Sequence, residues 1–303
     1  MLKSMPFYAM LALSVFAGGE SRADTDAIAN LLKTLVKPQT EIIFMGEDHR
    51  SLHQAALKRN LIALHSAFDN FDCLFLELEA GAYQSAINAY LAGRASFNDS
   101  VMKAECAYQE KAGIHCIPGQ IQSNATKEAL DTAKLYGVHV FAADANRSAE
   151  TLRRIYQAQY AEYAAQHPEL HSQPQNQPAP PVQPIDHETM DVEQLYKRNI
   201  FMSEIVKETF KMGACHRAAF QVGSAHIFFS GYLPKSQLNV LSIPKLLQRD
   251  GIRTQAFLMS EDEATLKTDL IQQGTRNSCA LAYDGFIFYS KNKPRVYARI
   301  YDF

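Results

Sequence analysis

Short apolar runs that close on glycine or acid recur along the chain, separated by stretches with a helical repeat. Thr40 to Asp48, TEIIFMGED, is one such run, the pattern of a strand buried on both faces of a parallel sheet. Before it, Asp24 to Val36 reads as a capped amphipathic helix. After it, Leu57, Leu61, Leu64 and Phe68 recur at spacings of four, three and four, which predicts a helix over Arg50 to Asp69. A second strand, Cys73 to Glu79, follows at once and completes a strand, helix, strand unit. Ala80 to Tyr136 is mostly helical, is interrupted around Gly113 to Gly119, and reads as an inserted helical layer.

GVHVFAAD, Gly137 to Asp144, predicts the third strand, and a helix follows from Ser148 to Gln166. His167 to His187 carries six of the chain's 12 prolines among Gln, Ser and Asn, too few apolar residues to offset the entropy of ordering, and reads as a flexible loop. Glu188 to Met212 is then a long helix, HRAAFQVG a fourth strand, Ser242 to Arg249 a helix and IRTQAFLM a fifth strand. DGFIFYS and RVYARIYDF around KNKP form a closing hairpin. The expected fold class is α/β, a layered fold with a mostly parallel sheet, a C-terminal antiparallel hairpin and an inserted helical segment. In such sheets ligands bind at the carboxyl ends of the strands.

Those ends collect the polar chemistry. The first strand delivers Gly46, Glu47, Asp48 and His49, the second Glu77 and Glu79, the third Asp144, and the fourth Gly223, Ser224, Ala225 and His226. Leu74, Leu76 and Leu78 share one face of the second strand, and Phe75, Glu77 and Glu79 the other. Glu77 is therefore drawn towards the interior, where a carboxylate needs a cation, a metal or a proton; the alternative is that the strand ends there and both acids are solvated. Arg198 poses the same question on a helix. It falls on the apolar stripe of Leu195, Met202 and Ile205, either half buried against a carboxylate or substrate anion, or snorkelling at the surface. Asn199 beside it is placed to hydrogen-bond the same site. His53 lies four residues after His49 and shares its face if a helix begins by Arg50. There is no GxSxG elbow and no glycine-rich phosphate loop, so chemistry here rests on water activated by carboxylate, histidine or a metal.

Charge and composition narrow the classes. Among 303 residues, 30 Lys and Arg face 32 Asp and Glu, and no run of five like charges occurs, which argues against a nucleic-acid partner. No apolar stretch is long enough for a transmembrane segment. Lys3, the apolar Phe7 to Ala17 and Ser21-Arg22-Ala23 have the form of a signal peptide over residues 1–23, cleaved near Ala23, which makes the chain periplasmic or secreted and leaves residues 24–303 as one domain. Export permits disulfides. The expected pairs are Cys106 with Cys116 and Cys215 with Cys279, leaving Cys73 a buried free thiol.

Together these elements resemble the erythromycin esterase, ChaN-like and TraB/Tiki (GumN) superfamily. GEDH at the end of the first strand is similar to its GExH or GxxH motif, LFLELEA to its second-strand motif ending in Glu, and YKRNIFM to its helical RNxxM element. VGSAHI with SIPKLLQRDGIRT is similar to its second GxxH and the pattern that trails it. The resemblance implies a hydrolase acting on an ester or peptide bond of a small-molecule or peptide substrate. It makes Glu47, His49 and Arg198 the catalytic candidates and His49, Glu77 and His226 the ligands of a divalent metal ion, supported by His53, Glu79, Asp144 and Asn199. ChaN-like members bind haem, so a haem or iron-binding protein is the alternative, and the 14 tyrosines offer it ligands. An effector module that keeps the fold without activity is a third.

Overall fold

The computed structural model describes residues 22–47, 56–68, 71–111, 113, 116, 121–147, 192–228, 231–233, 238–260, 284–289 and 294–297. The signal segment up to Ser21, His49, His53, Cys279, the helix expected from Ser148 and the proline-rich loop lie outside these residues, as does the side chain of Glu47.

The strands run β1 (Ile42–Glu47), β2 (Cys73–Glu79), β3 (His139–Asp144), β4 (Ala218–Gly223), β5 (Gly231–Leu233), β6 (Leu238–Val240), β7 (Thr254–Ser260), β8 (Gly285–Tyr289) and β9 (Pro294–Tyr297). Seven of them form one sheet in the order β3-β2-β4-β1-β7-β8-β9, parallel except for the antiparallel β8–β9 pair. β5 and β6 make a separate small hairpin that the apolar pattern does not predict. β4 lies between β1 and β2, so the first strand, helix, strand unit crosses over a strand that arrives about 140 residues after β2.

Alternation along each strand supplies two cores. Ile43, Met45, Leu74, Leu76, Val140 and Ala142 face one layer of helices: α1 (Arg22–Leu35), α2 (Ala56–Ala67), α3 (Ala80–Leu91), α4 (Lys103–Lys111) and α5 (Ile121–Tyr136). The last three, with a π turn at Asn98–Met102, are the inserted segment. Ile42, Phe44, Phe75, Phe220 and Val222 face the other layer, α6 (Val192–Lys211) and α8 (Ile243–Arg249), with the short α7 (Ala225–Phe228) at the end of β4. On this second face Phe44, Phe220, Phe75 and Phe141 stand side by side across β1, β4, β2 and β3, with ring centroids 5.5, 5.6 and 5.3 Å apart. Such pairs contribute about 0.5–1.5 kcal/mol each beyond burial, and the ladder sets the register in which the strand ends align.

The disulfide scheme needs correction. Cys106 is bonded to Cys116, but Cys215 is bonded to Cys73, with Cα atoms 5.8 Å apart, and not to Cys279. Because β4 pairs with β2, the residues that enter β4 lie beside the first residue of β2, and Cys73 is not a free thiol.

Candidate functional site

Two or three residues past the phenylalanine ladder, the strands end together. Glu77 follows Phe75 by two positions, while Glu47, Gly223 and Asp144 follow Phe44, Phe220 and Phe141 by three. Glu77 points from β2 towards α6 with its side chain only 7% exposed, and Asp144 is fully buried. Arg198 answers both. Its Nε donates to Asp144 Oδ1 at 2.9 Å, and its Nη2 donates to Asp144 Oδ2 at 2.6 Å and to Glu77 Oε1. The stripe that carries Arg198 is therefore real, with Leu195 and Met202 buried on either side. Burial works against its charge, but Glu77 and Asp144 more than restore it and hold the guanidinium above its ordinary value.

Arg147, which the sequence reading passed over, is the second cation. Its Nη2 donates to Asp144 Oδ2 at 2.8 Å and Glu77 Oε1 at 3.3 Å, and its Nε lies 3.5 Å from Glu79 Oε1. It sits in the exit from β3, three residues after Asp144, outside any periodic stripe; its one signal is the charged pair D-A-N-R at a strand end. Nη1 of both arginines makes no hydrogen bond among the described residues, and about a fifth of each side chain is exposed. The acids thus lie beneath a layer of guanidinium groups.

His226 closes the cluster from α7 at 3% exposure. The side-chain amide of Asn199 donates to Leu241 O at 2.9 Å, which turns Asn199 Oδ1 towards His226 Nδ1 at 2.5 Å. Nδ1 is therefore the protonated nitrogen. Nε2 is then left facing Glu77 Oε1 at 3.3 Å, an arrangement that is attractive only when a proton lies between them. Burial lowers the affinity of His226 for a proton more than Glu77 raises it, and the imidazole is held below its ordinary value. Glu77 Oε2 meanwhile accepts from the Gly223 backbone N–H at 2.7 Å, a contact made where the fourth strand turns. Glu79 is buried beside Arg147 and Tyr108.

Glu77, His226, Arg198, Asp144, Glu79 and Asn199 are thus brought together, whereas His49, His53 and the Glu47 side chain lie outside the described residues. The backbone of Glu47 ends β1 directly opposite Gly223. The described donors fit a divalent cation poorly, because the Glu77 oxygens already face two guanidinium groups and a backbone N–H, and a dication there would meet like charge. Among the described residues the one group with metal-ligand spacing is Asp72, Cys73 and Cys215, whose sulfurs are joined in a disulfide. Haem needs an accessible axial donor, and His226 has both nitrogens turned to polar partners.

No family model matches the sequence, and no curated protein matches it. Solved structures do. The chain is similar to RRSP, a MARTX toxin effector domain from Vibrio vulnificus, at 16% identity and a TM-score of 0.46, over 79% of this chain and 37% of that one. It is similar to the type III effector HopBA1 at 13% identity and a TM-score of 0.41, over 80% and 83% of the two chains. A Bacillus cereus protein aligns at 12% identity and a TM-score of 0.40, over 78% of this chain and 74% of that one. The chain spans little more than a third of the length of the first of these.

Proposed function

We propose that the protein is an exported hydrolase of ester or peptide bonds, acting at the carboxyl ends of β1, β2 and β4. The observation that carries this reading is the buried His226, oriented by Asn199 through one nitrogen and facing Glu77 through the other. A base held by a third group is the arrangement that general-base chemistry requires. A water entering between His226 Nε2 and Glu77 Oε1 gives its proton to Nε2 as its oxygen attacks the carbonyl carbon, and Glu77 stabilises the imidazolium. The Nη1 N–H groups of Arg198 and Arg147 stabilise the negative charge that develops on the carbonyl oxygen, and the imidazolium then returns the proton to the leaving alkoxide or amine. The motif resemblance adds Glu47 and His49 to the catalytic candidates. Two disulfides suit an oxidising compartment, periplasmic or extracellular. No helix of the described residues is long and apolar enough to cross a membrane.

Turnover of p-nitrophenyl esters and of a fluorogenic peptide pool tests the reading. Glu77→Gln and His226→Gln should each lower kcat by about 100-fold or more, and dialysis against a chelator should leave the parent's rate unchanged. Full activity in both variants would remove the site from the reaction; a chelator-sensitive rate would restore the metal.

A further inference from the structure

We propose that Tyr108, in the inserted helical layer, is a positioning residue of this site and acts through Arg147; the catalytic part of the proposal rests on the hydrolytic reading above. Arg147 is carried by the chain leaving β3, a short irregular exit with no sheet partner past Asp144, and two contacts from the inserted layer hold it. The Arg147 backbone N–H donates to Tyr108 Oη at 3.4 Å. Asn146 lies against Gly81 at the start of α3, where an added Cβ would come within 3.0 Å of its amide nitrogen.

Glu79 stands beside the same pair: its Oε1 lies 3.5 Å from Arg147 Nε, so the arginine that Tyr108 holds by its main chain also meets this buried acid through its side chain. Burial and Glu79 together hold the Tyr108 hydroxyl in its protonated form. Tyr108 is 5% exposed and fixed in turn. Its ring stands edge-on to Tyr83 at 5.8 Å, the Tyr83 hydroxyl donates to Glu105, and the Cys106–Cys116 bridge ties the helix two residues away. The route from the inserted layer to Glu77 therefore runs from Tyr108 to the Arg147 main chain and along its guanidinium. This assigns the layer a task in the chemistry beyond covering one face of the sheet.

Tyr108→Phe keeps the ring and removes the hydroxyl. Tyr108→Phe, Arg147→Lys and the double variant of the full chain are compared with the parent for hydrolysis of p-nitrophenyl acetate and for the arginine Nε–H resonances in nitrogen-15 spectra. Tyr108→Phe should lower kcat by about tenfold with KM within about twofold, because misplacing a group costs rate more than binding. Arg147→Lys should do the same, and the double variant should fall no further than the single ones. In Tyr108→Phe the Arg147 Nε–H resonance should shift or broaden while that of Arg198 holds, with Tm within about 3 °C of the parent. An unmoved Arg147 resonance, or losses that multiply in the double variant, overturns the proposal. A parent that hydrolyses neither ester nor peptide counts against the reaction alone, and the arginine resonances then decide the positioning by themselves.

Discussion

Arg198 carries more of the site than any other side chain, since it bridges two acids on two strands. Truncation to alanine leaves Glu77 and Asp144 with one guanidinium between them. That costs about 3 kcal/mol, the lower end for a broken buried pair because a fifth of the side chain meets solvent, and should lower Tm by on the order of 5–10 °C. Lysine restores the charge but not the fork that spans Asp144, so Arg198→Lys should fall between. Thermal unfolding of both variants measures this; unchanged midpoints would place Arg198 outside the network. Glu79 gives a pH signature. Burial holds its carboxyl above the ordinary value of about 4.5, Arg147 and Tyr108 pull it down, and Asp144 pushes it up again. An acid raised in the folded chain keeps its proton longer there than in the unfolded one, so its contribution is full below about 4.5 and is lost as pH rises through the raised value. Glu79→Gln should therefore gain stability over the parent as pH rises from 5 to 8, and parallel curves for the two proteins would sink the assignment. Glu77 and Arg198 were legible as residues because each breaks an apolar period. Arg147 breaks none, and only the fold shows that the exit from β3 returns it to Glu77.

At the scale of elements, the apolar runs located the sheet's strands, because a strand buried on both faces cannot be written in polar residues. Their order was not legible, since pairing partners are chosen by packing over long sequence distances. The expected pairing of Cys215 with Cys279 fails for the same reason: only the place of β4 against β2 favours Cys73. The two bridges differ in reach, with sequence separations of 142 and 10, and chain entropy values them at about 5 and about 3 kcal/mol. Removing Cys73–Cys215 by paired alanine substitution should cost more in urea unfolding than removing Cys106–Cys116. It should also spare the chemistry, because the bridge sits at the strand starts, opposite the site. Phe220 touches both Phe44 and Phe75 in the ladder. Phe220→Ala should cost about 3–5 kcal/mol and loosen the alignment that brings Glu77 beside Gly223, seen as a loss of kcat larger than any leucine truncation on the other face produces.

For the molecule as a whole, the place of β4 governs the order in which the chain can become a protein. β1 is hydrogen-bonded to β4 and β7 and to no earlier strand, while β2 has only β3 until β4 arrives. A chain that ends before Ala218 therefore holds one orphan strand and one two-strand ribbon, with open edges that invite pairing between molecules. It also lacks His226 and the Gly223 N–H that hold Glu77. The two parts of the sheet join only when β4, the fourth of its seven strands to be made, slides between β1 and β2, which have waited for it, so formation should be slow and all-or-none rather than progressive along the chain. Pulsed hydrogen exchange during refolding should protect β1, β2 and β4 in a single step. That delay suits the export proposed above: the chain stays threadable until its last third begins to be delivered.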